Sequence, residues 1–186
     1  MSWSRRQVLA ALGAALAAPG VAHGFGEASM LDIAELDLGG GSRARPDAWT
    51  RLLAEVRATT SVETRDVFKN GIARLGPADP ALFEHPFLVC VGEDAFPVPS
   101  PDGLEQLSRY LAYGGFLLFD DATGSTTSPF AKSVERLARV LFPTRALAPL
   151  PKSHSLYRSF FLLDAPLGRV DRFDDLTGIT LGGVRV

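Results

Sequence analysis

The stretch Gly114-Gly115-Phe116-Leu117-Leu118-Phe119-Asp120-Asp121 decides how the rest of the chain is read. Two glycines end whatever precedes them, four apolar residues form a short strand with no polar face, and two adjacent carboxylates close it. An uninterrupted apolar run suits a strand covered on both faces, as in a parallel sheet. Open α/β sheets place their ligand crevices beyond the carboxyl ends of such strands, so the Asp pair is where function is first sought.

Upstream, Ser100-Pro101 supplies an N-cap and a proline at the first helical position. Leu104, Leu107 and Leu111 follow at helical spacing, and Gly114-Gly115 stops the helix. Before that helix, Phe87-Leu88-Val89-Cys90-Val91 is a second continuous apolar run of strand length. Strand, helix and strand within about 35 residues make a βαβ unit, with parallel strands and a right-handed crossover. Downstream, Ser128-Pro129 repeats the helix start, and Phe130, Val134, Leu137, Ala138 and Leu141 share one face up to Pro143.

Nearer the N-terminus, residues 33–38 alternate apolar and polar, which predicts a strand with one wetter face. Gly39-Gly40-Gly41 ends it, and Pro46-Asp47 opens a helix with Trp49, Leu52, Leu53 and Val56 on one stripe. Ser61-Val62-Glu63-Thr64 reads as a weaker strand, and residues 66–76 are ambiguous. Residues 79–86 read as a proline-punctuated connection with one helical turn, and residues 179–186 as a final strand. The expected fold is α/β: three layers, with a mostly parallel central sheet and helices on both faces.

The chain has 186 residues, 46% hydrophobic and 22% charged, which suits one domain with a substantial core. Residues 1–22 stand apart. They carry Arg5-Arg6, no acidic residue, a short apolar run and the small-residue site Gly20-Val21-Ala22. This is the layout of an export signal, and Ser4-Arg5-Arg6-Gln7-Val8-Leu9 has the form of a twin-arginine signal. The apolar run spans about 11 residues, short of the about 20 a bilayer span needs. The expected organisation is a signal over 1–22 and a single α/β domain over 23–186, in a periplasmic or exported protein without a stable transmembrane span. Without the signal, 17 basic residues face 21 acidic ones, a net −4, which argues against a nucleic-acid partner.

The residues resemble a bacterial family, the domain-of-unknown-function family numbered 4159. The resemblance rests on Pro86-Phe87-Leu88, on Leu107 with Tyr110-Leu111, and on Gly114-Gly115-Phe116-Leu117-Leu118 with Asp120-Asp121. It continues through Phe130, Ser133, Phe142-Pro143, Leu150-Pro151, His154 and Tyr157-Arg158-Ser159-Phe160-Phe161. It implies a flavodoxin-like architecture, similar to class I glutamine amidotransferases. It also implies envelope partners such as MoxR-type ATPases and von Willebrand A-type domains. The chain departs from the family in two places. Gly92-Glu93-Asp94 stands where the family usually has Gly-His-Gly, and relatives usually run on past the position of Val186, so the chain reads either as a short member or as one truncated there.

The candidate cleft comprises Glu93, Asp94, Asp120, Asp121, His154 and Arg158. In a parallel sheet with adjacent strands the two acidic pairs fall on one edge, within about 10 Å of each other. Three uses are open to them: capping the loops that follow, binding Mg²⁺ or Ca²⁺ through hard oxygens, or acting as an acid/base pair. If residues 154–158 are helical, His154 and Arg158 share a face, and Arg158 pairs with Asp120 or Asp121 or clamps an anion. Cys90 lies mid-strand between Val89 and Val91. β-branched neighbours are poor for the sharp elbow a nucleophile needs, so Cys90 reads as a small buried hydrophobe. Gly39-Gly40-Gly41-Ser42-Arg43 matches no phosphate-loop spacing and reads as a flexible turn. Tyr157, Phe160, Phe161 and Phe142 read as core. The reading is an envelope binding or assembly module without catalytic residues, resident metal or cofactor. The rivals are a divergent hydrolase or amidotransferase-like enzyme using Asp120, Asp121 and His154, and a divalent-metal-binding domain.

Overall fold

The structure is a computed structural model that describes residues 30–40, 47–65, 71–158, 164 and 175–180. Residues 1–22, read above as an export signal, Phe160, Phe161 and residues 181–186 lie outside the described residues. The described residues from Leu31 onward belong to one compact unit. Its strands are β1 (Ile33–Leu36), β2 (Ala73–Leu75), β3 (Phe87–Gly92) and β4 (Phe116–Asp121). Its helices are α1 (Ala48–Thr59), α2 (Pro101–Ala112) and α3 (Pro129–Leu141). The four strands form one parallel sheet in the order β2-β1-β3-β4. A short antiparallel ribbon joins β5 (Ala148–Pro149) to β6 (Thr177–Gly178).

The alternation of side chains along each strand builds the three layers. Ala34 and Leu36 of β1, Leu88 and Cys90 of β3, and Leu117 and Phe119 of β4 pack under Leu107 and Tyr110 of α2 and Phe130 and Leu137 of α3. Ile33, Val89, Val91 and Leu118 point the other way and pack under Trp49 and Leu53 of α1. Fully burying one such Leu or Val is worth about 1.5–3 kcal/mol. β3 is therefore covered on both faces, as its unbroken apolar run predicts.

The helix-start signals act as expected. Ser100 accepts a hydrogen bond from Gly103 N–H at 3.2 Å, Ser128 accepts one from Ala131 N–H at 2.9 Å, and each precedes a proline. At the other end of α2, Tyr110 is only 2% exposed. Its hydroxyl lies 3.0 Å from His85 O and 3.1 Å from Phe116 O, so it ties the helix to the starts of β3 and β4. The ring lies flat on Gly115, where a Cβ would come within 2.3 Å of it. The second glycine of the pair is thus a packing requirement as well as a helix stop.

Three expectations need correction. β1 has no wet face: all four of its residues are buried, because the strand is central and helices cover both sides. Residues 61–64 contribute only a single parallel bridge, Leu31 to Thr64, and the next strand is β2, from the stretch that periodicity left ambiguous. Leu52 is exposed, because the buried stripe of α1 is carried by Trp49 and Leu53.

Burial pushes the Tyr110 hydroxyl up to about 12, against an ordinary value of 10.0, with the Phe116 and Leu88 backbone opposing. Its raised folded value means that the folded state holds the proton between pH 10 and 12 while the unfolded chain releases it, so stability falls as pH rises through that window. Tyr110→Phe should lower stability at neutral pH by about 1–3 kcal/mol and flatten the alkaline decline in urea unfolding. Gly115→Ala should cost about 1–3 kcal/mol through overpacking, and wild-type stability in that variant would contradict the Tyr110 contact.

Candidate functional site

The strand order places β1 between β2 and β3, so successive connections leave β1 in opposite directions across the sheet. That switch point is where doubly wound sheets open a crevice at the carboxyl edge. One is present here. It is a narrow, solvent-open cleft with a cavity volume of only about 10 Å³, bounded by Glu35 of β1 and Asp37 just after it, Arg74 on β2, Cys90 and Asp94 from β3 and its following loop, and Phe130 of α3. Gly92 ends β3 without a Cβ because the Phe130 ring would lie 2.6 Å from one.

Its electrostatics are acidic with one counter-charge. Asp37 pairs with Arg74 at 3.1 Å, both partly exposed, and also accepts from Gly39 N–H at 2.9 Å. Exposed pairs of this kind contribute about 0–1 kcal/mol, so Arg74 can be redirected by a ligand at little cost. Glu35 is 4% exposed on the central strand. Cys90 is 5% exposed, and burial, then the charges of Glu35 and Asp37, push its thiol up to about 12 against the pull of Arg74. A thiol held protonated at neutral pH is a poor nucleophile. Periodicity missed Glu35 because it assigned that residue to a wet face, and nothing local marked Asp37 or Arg74. Gly39 and Gly40 both adopt positive φ, while Gly41, Ser42 and Arg43 lie outside the described residues.

The strand-end carboxylates share one edge, as predicted. Asp120 registers opposite Val91 and Asp121 opposite Gly92, directly before Glu93-Asp94. Asp121 is engaged in its own loop. One oxygen accepts from Thr123 N–H at 2.9 Å and from its hydroxyl at 2.6 Å, and the other accepts from the Ser128 hydroxyl. Ser128 in turn caps α3. Glu93 and Asp94 are exposed, and Asp94 alone of the four borders the crevice.

His154 and Arg158 do not share a helical face. Their segment is a 3₁₀ turn, Ser155–Tyr157, with His154 at its N-cap and Arg158 at its C-cap. Both bond within the β5–β6 region: His154 Nε2 lies 3.3 Å from Thr180 Oγ1, and Arg158 Nε donates to Lys152 O at 3.5 Å. The proline-rich connection before the turn and the pull of the ribbon replace the expected helix. Tyr157 is buried as expected, its hydroxyl accepting from Leu176 N–H at 2.8 Å.

A second polar cluster, at the amino edge, escaped the sequence reading. Asp32 is 7% exposed and His85 6%, with Nδ1 of His85 3.0 Å from Oδ2 of Asp32. Arg65 Nε reaches the same oxygen at 3.0 Å. The His85 contact has close approach without hydrogen-bond alignment, so it is an electrostatic contact. The two residues precede β1 and β3, so their contact joins the starts of adjacent strands. No sequence spacing marks a pair 53 positions apart.

A parallel α/β sheet with an acidic crevice at its switch point defines an α/β domain of the open, doubly wound class. The chain belongs to the family described as Domain of unknown function (DUF4159), whose profile matches residues 32–179. The match covers all four strands of the parallel sheet. No curated protein matches the chain significantly. Among the described residues no helix is long and apolar enough to cross a membrane, and no group of three or more His, Cys, Asp or Glu is placed to hold a metal ion.

Two outcomes test this geometry. Cys90 should resist thiol-reactive dye at pH 8 in the native chain and react fully once unfolded, and rapid native labelling would contradict its burial. His85→Leu should lower stability by about 1–3 kcal/mol in urea unfolding, since it leaves the buried Asp32 carboxylate with only its Arg65 contact. The paired variant Asp32→Leu/His85→Leu should recover part of that loss.

Proposed function

We propose that the chain is an exported, non-catalytic binding or assembly module of the bacterial envelope, with the switch-point crevice as its contact site. The observation that carries this is the make-up of the crevice. It gathers Glu35, Asp37 and Asp94 around one weakly held arginine, and its sole sulfur is a buried, protonated thiol. Such a lining suits a partner that presents a cationic side chain, with the Asp37–Arg74 pair opening to receive it. The Cys90 environment also speaks against the amidotransferase-like alternative, which needs a reactive thiolate. Export rests on the Arg5-Arg6 signal layout, and the MoxR-type ATPases and von Willebrand A-type domains implied by the family resemblance are the first partners to test.

The test combines fractionation with crosslinking in a host that carries the full gene. Replacing Arg5-Arg6 with Lys-Lys should trap the protein in the cytoplasm. The exported wild-type chain should crosslink one envelope protein reproducibly, and Asp37→Asn/Asp94→Asn should lose it while Glu55→Gln on α1 keeps it. Retention of the partner by the crevice variant would remove the crevice from the function. Ester, amide or phosphoester hydrolysis abolished by Asp120→Ala would replace binding with catalysis.

A further inference from the structure

The crevice is narrower than the contact proposed for it. Its cavity volume of about 10 Å³ is room for one water-sized group. A cationic side chain enters only if a wall moves.

The two walls are held differently. Gly39 lines the side that follows β1, and Asp94 and Phe96 line the side that follows β3. The β3 side is anchored. Phe96 is 4% exposed and packs on the rings of Phe119 and Phe130, and its N–H donates to the buried Ser133 hydroxyl at 3.2 Å. The β1 side is anchored only as far as Leu38, which belongs to the core. Directly after it, Gly39 and Gly40 turn with φ of +72° and +75°. Glycine leaves that backbone region at little steric cost, so the wall can swing from here. Gly40 rests against the anchored side: a Cβ on it would come within 2.5 Å of Ala95 O and 3.1 Å of Phe96 Cα. This contact joins the hinged wall to the fixed one.

Asp37 ties the hinge to the charge of the crevice. Its Oδ1 accepts from Gly39 N–H at 2.9 Å, while its Oδ2 holds Arg74 at 3.1 Å. A cation that competes for Asp37 therefore acts on the carboxylate that steadies the hinge as well as on Arg74.

We propose that Gly39–Gly40 is a hinged strap, clasped on Ala95 and steadied by Asp37, whose release widens the crevice for its partner. The role of the strap rests on the crevice being the contact site, but its opening needs no partner. Cys90 lines the crevice and is 5% exposed, so its thiol reports the opening.

Slow labelling of Cys90 by a small thiol reagent at pH 8, under native conditions, measures the release. The wild-type rate should stay nearly flat over the first additions of urea and climb only as global unfolding takes over, because release of a strap exposes little surface. Gly40→Ala cannot close against Ala95 and should label about tenfold faster, the scale of an overpacked contact. Gly71→Ala is the control: Gly71 has φ +68° with open space around it, so the variant carries the same backbone penalty without the clasp and should keep the wild-type rate. Two outcomes would overturn the strap: a wild-type rate that follows the full urea slope of global unfolding from the start, or Gly40→Ala labelling no faster than Gly71→Ala. The wild-type urea series decides the matter if Gly40→Ala fails to fold. Crosslinking separates the strap from the reading it rests on. Gly40→Ala should capture more of the envelope partner, and faster labelling with unchanged capture would keep the strap and remove the crevice from partner binding.

Discussion

The rest of the molecule depends on the two-sided burial of β3. Its side chains alternate between the α1 layer and the layer of α2 and α3, and neither face tolerates a polar group without a partner. This forces neighbours on both edges, supplied by β1 and β4 in parallel register, and helices on both faces. Polar chemistry is thereby displaced toward the two ends of β3, with the buried Glu35 of β1 the exception beside Val89. The acidic crevice lies at one end and the Asp32–His85 contact at the other. The same constraint accounts for Cys90: a side chain at that position must be small and apolar in behaviour, and the thiol complies by staying protonated.

Tyr110 and Gly115 complete the frame. A buried ring with a hydroxyl needs acceptors, and the carbonyls before β3 and at the start of β4 provide them. The helix therefore locks the spacing between two strands that are themselves paired only edge to edge. Packing and hydrogen bonding converge on one side chain, and the glycine beneath it is what permits the approach.

Much of this was legible in the residues. The apolar runs at 87–91 and 116–119, the two Ser-Pro helix starts and the Gly114-Gly115 stop define the βαβ core, because caps and uninterrupted apolar stretches are local signals. β1 was found but its environment was misread: alternation signals a half-exposed strand only when one face is free, and the sheet order that covers both faces is not a local property. The turn at 154–158 was misjudged for a related reason, since its geometry is set by contacts with residues 176–180. The strand-end acids were correctly placed on one edge, yet the crevice-forming Glu35, Asp37 and Arg74 went unremarked. They are brought together by the switch in strand order, which no pair spacing encodes. The Asp32–His85 contact is long-range in the same sense.

Asp121 illustrates how a carboxylate at a functional edge can already be spoken for. Its two oxygens hold the Thr123 turn and the hydroxyl that caps α3. A cation competing for Asp121 must first displace three donors, one of them the hydroxyl that caps a thirteen-residue helix. Selectivity at this edge is thus biased by occupancy: Asp94, exposed and bordering the crevice, is the carboxylate that an incoming group meets without competition from the loop that follows β4.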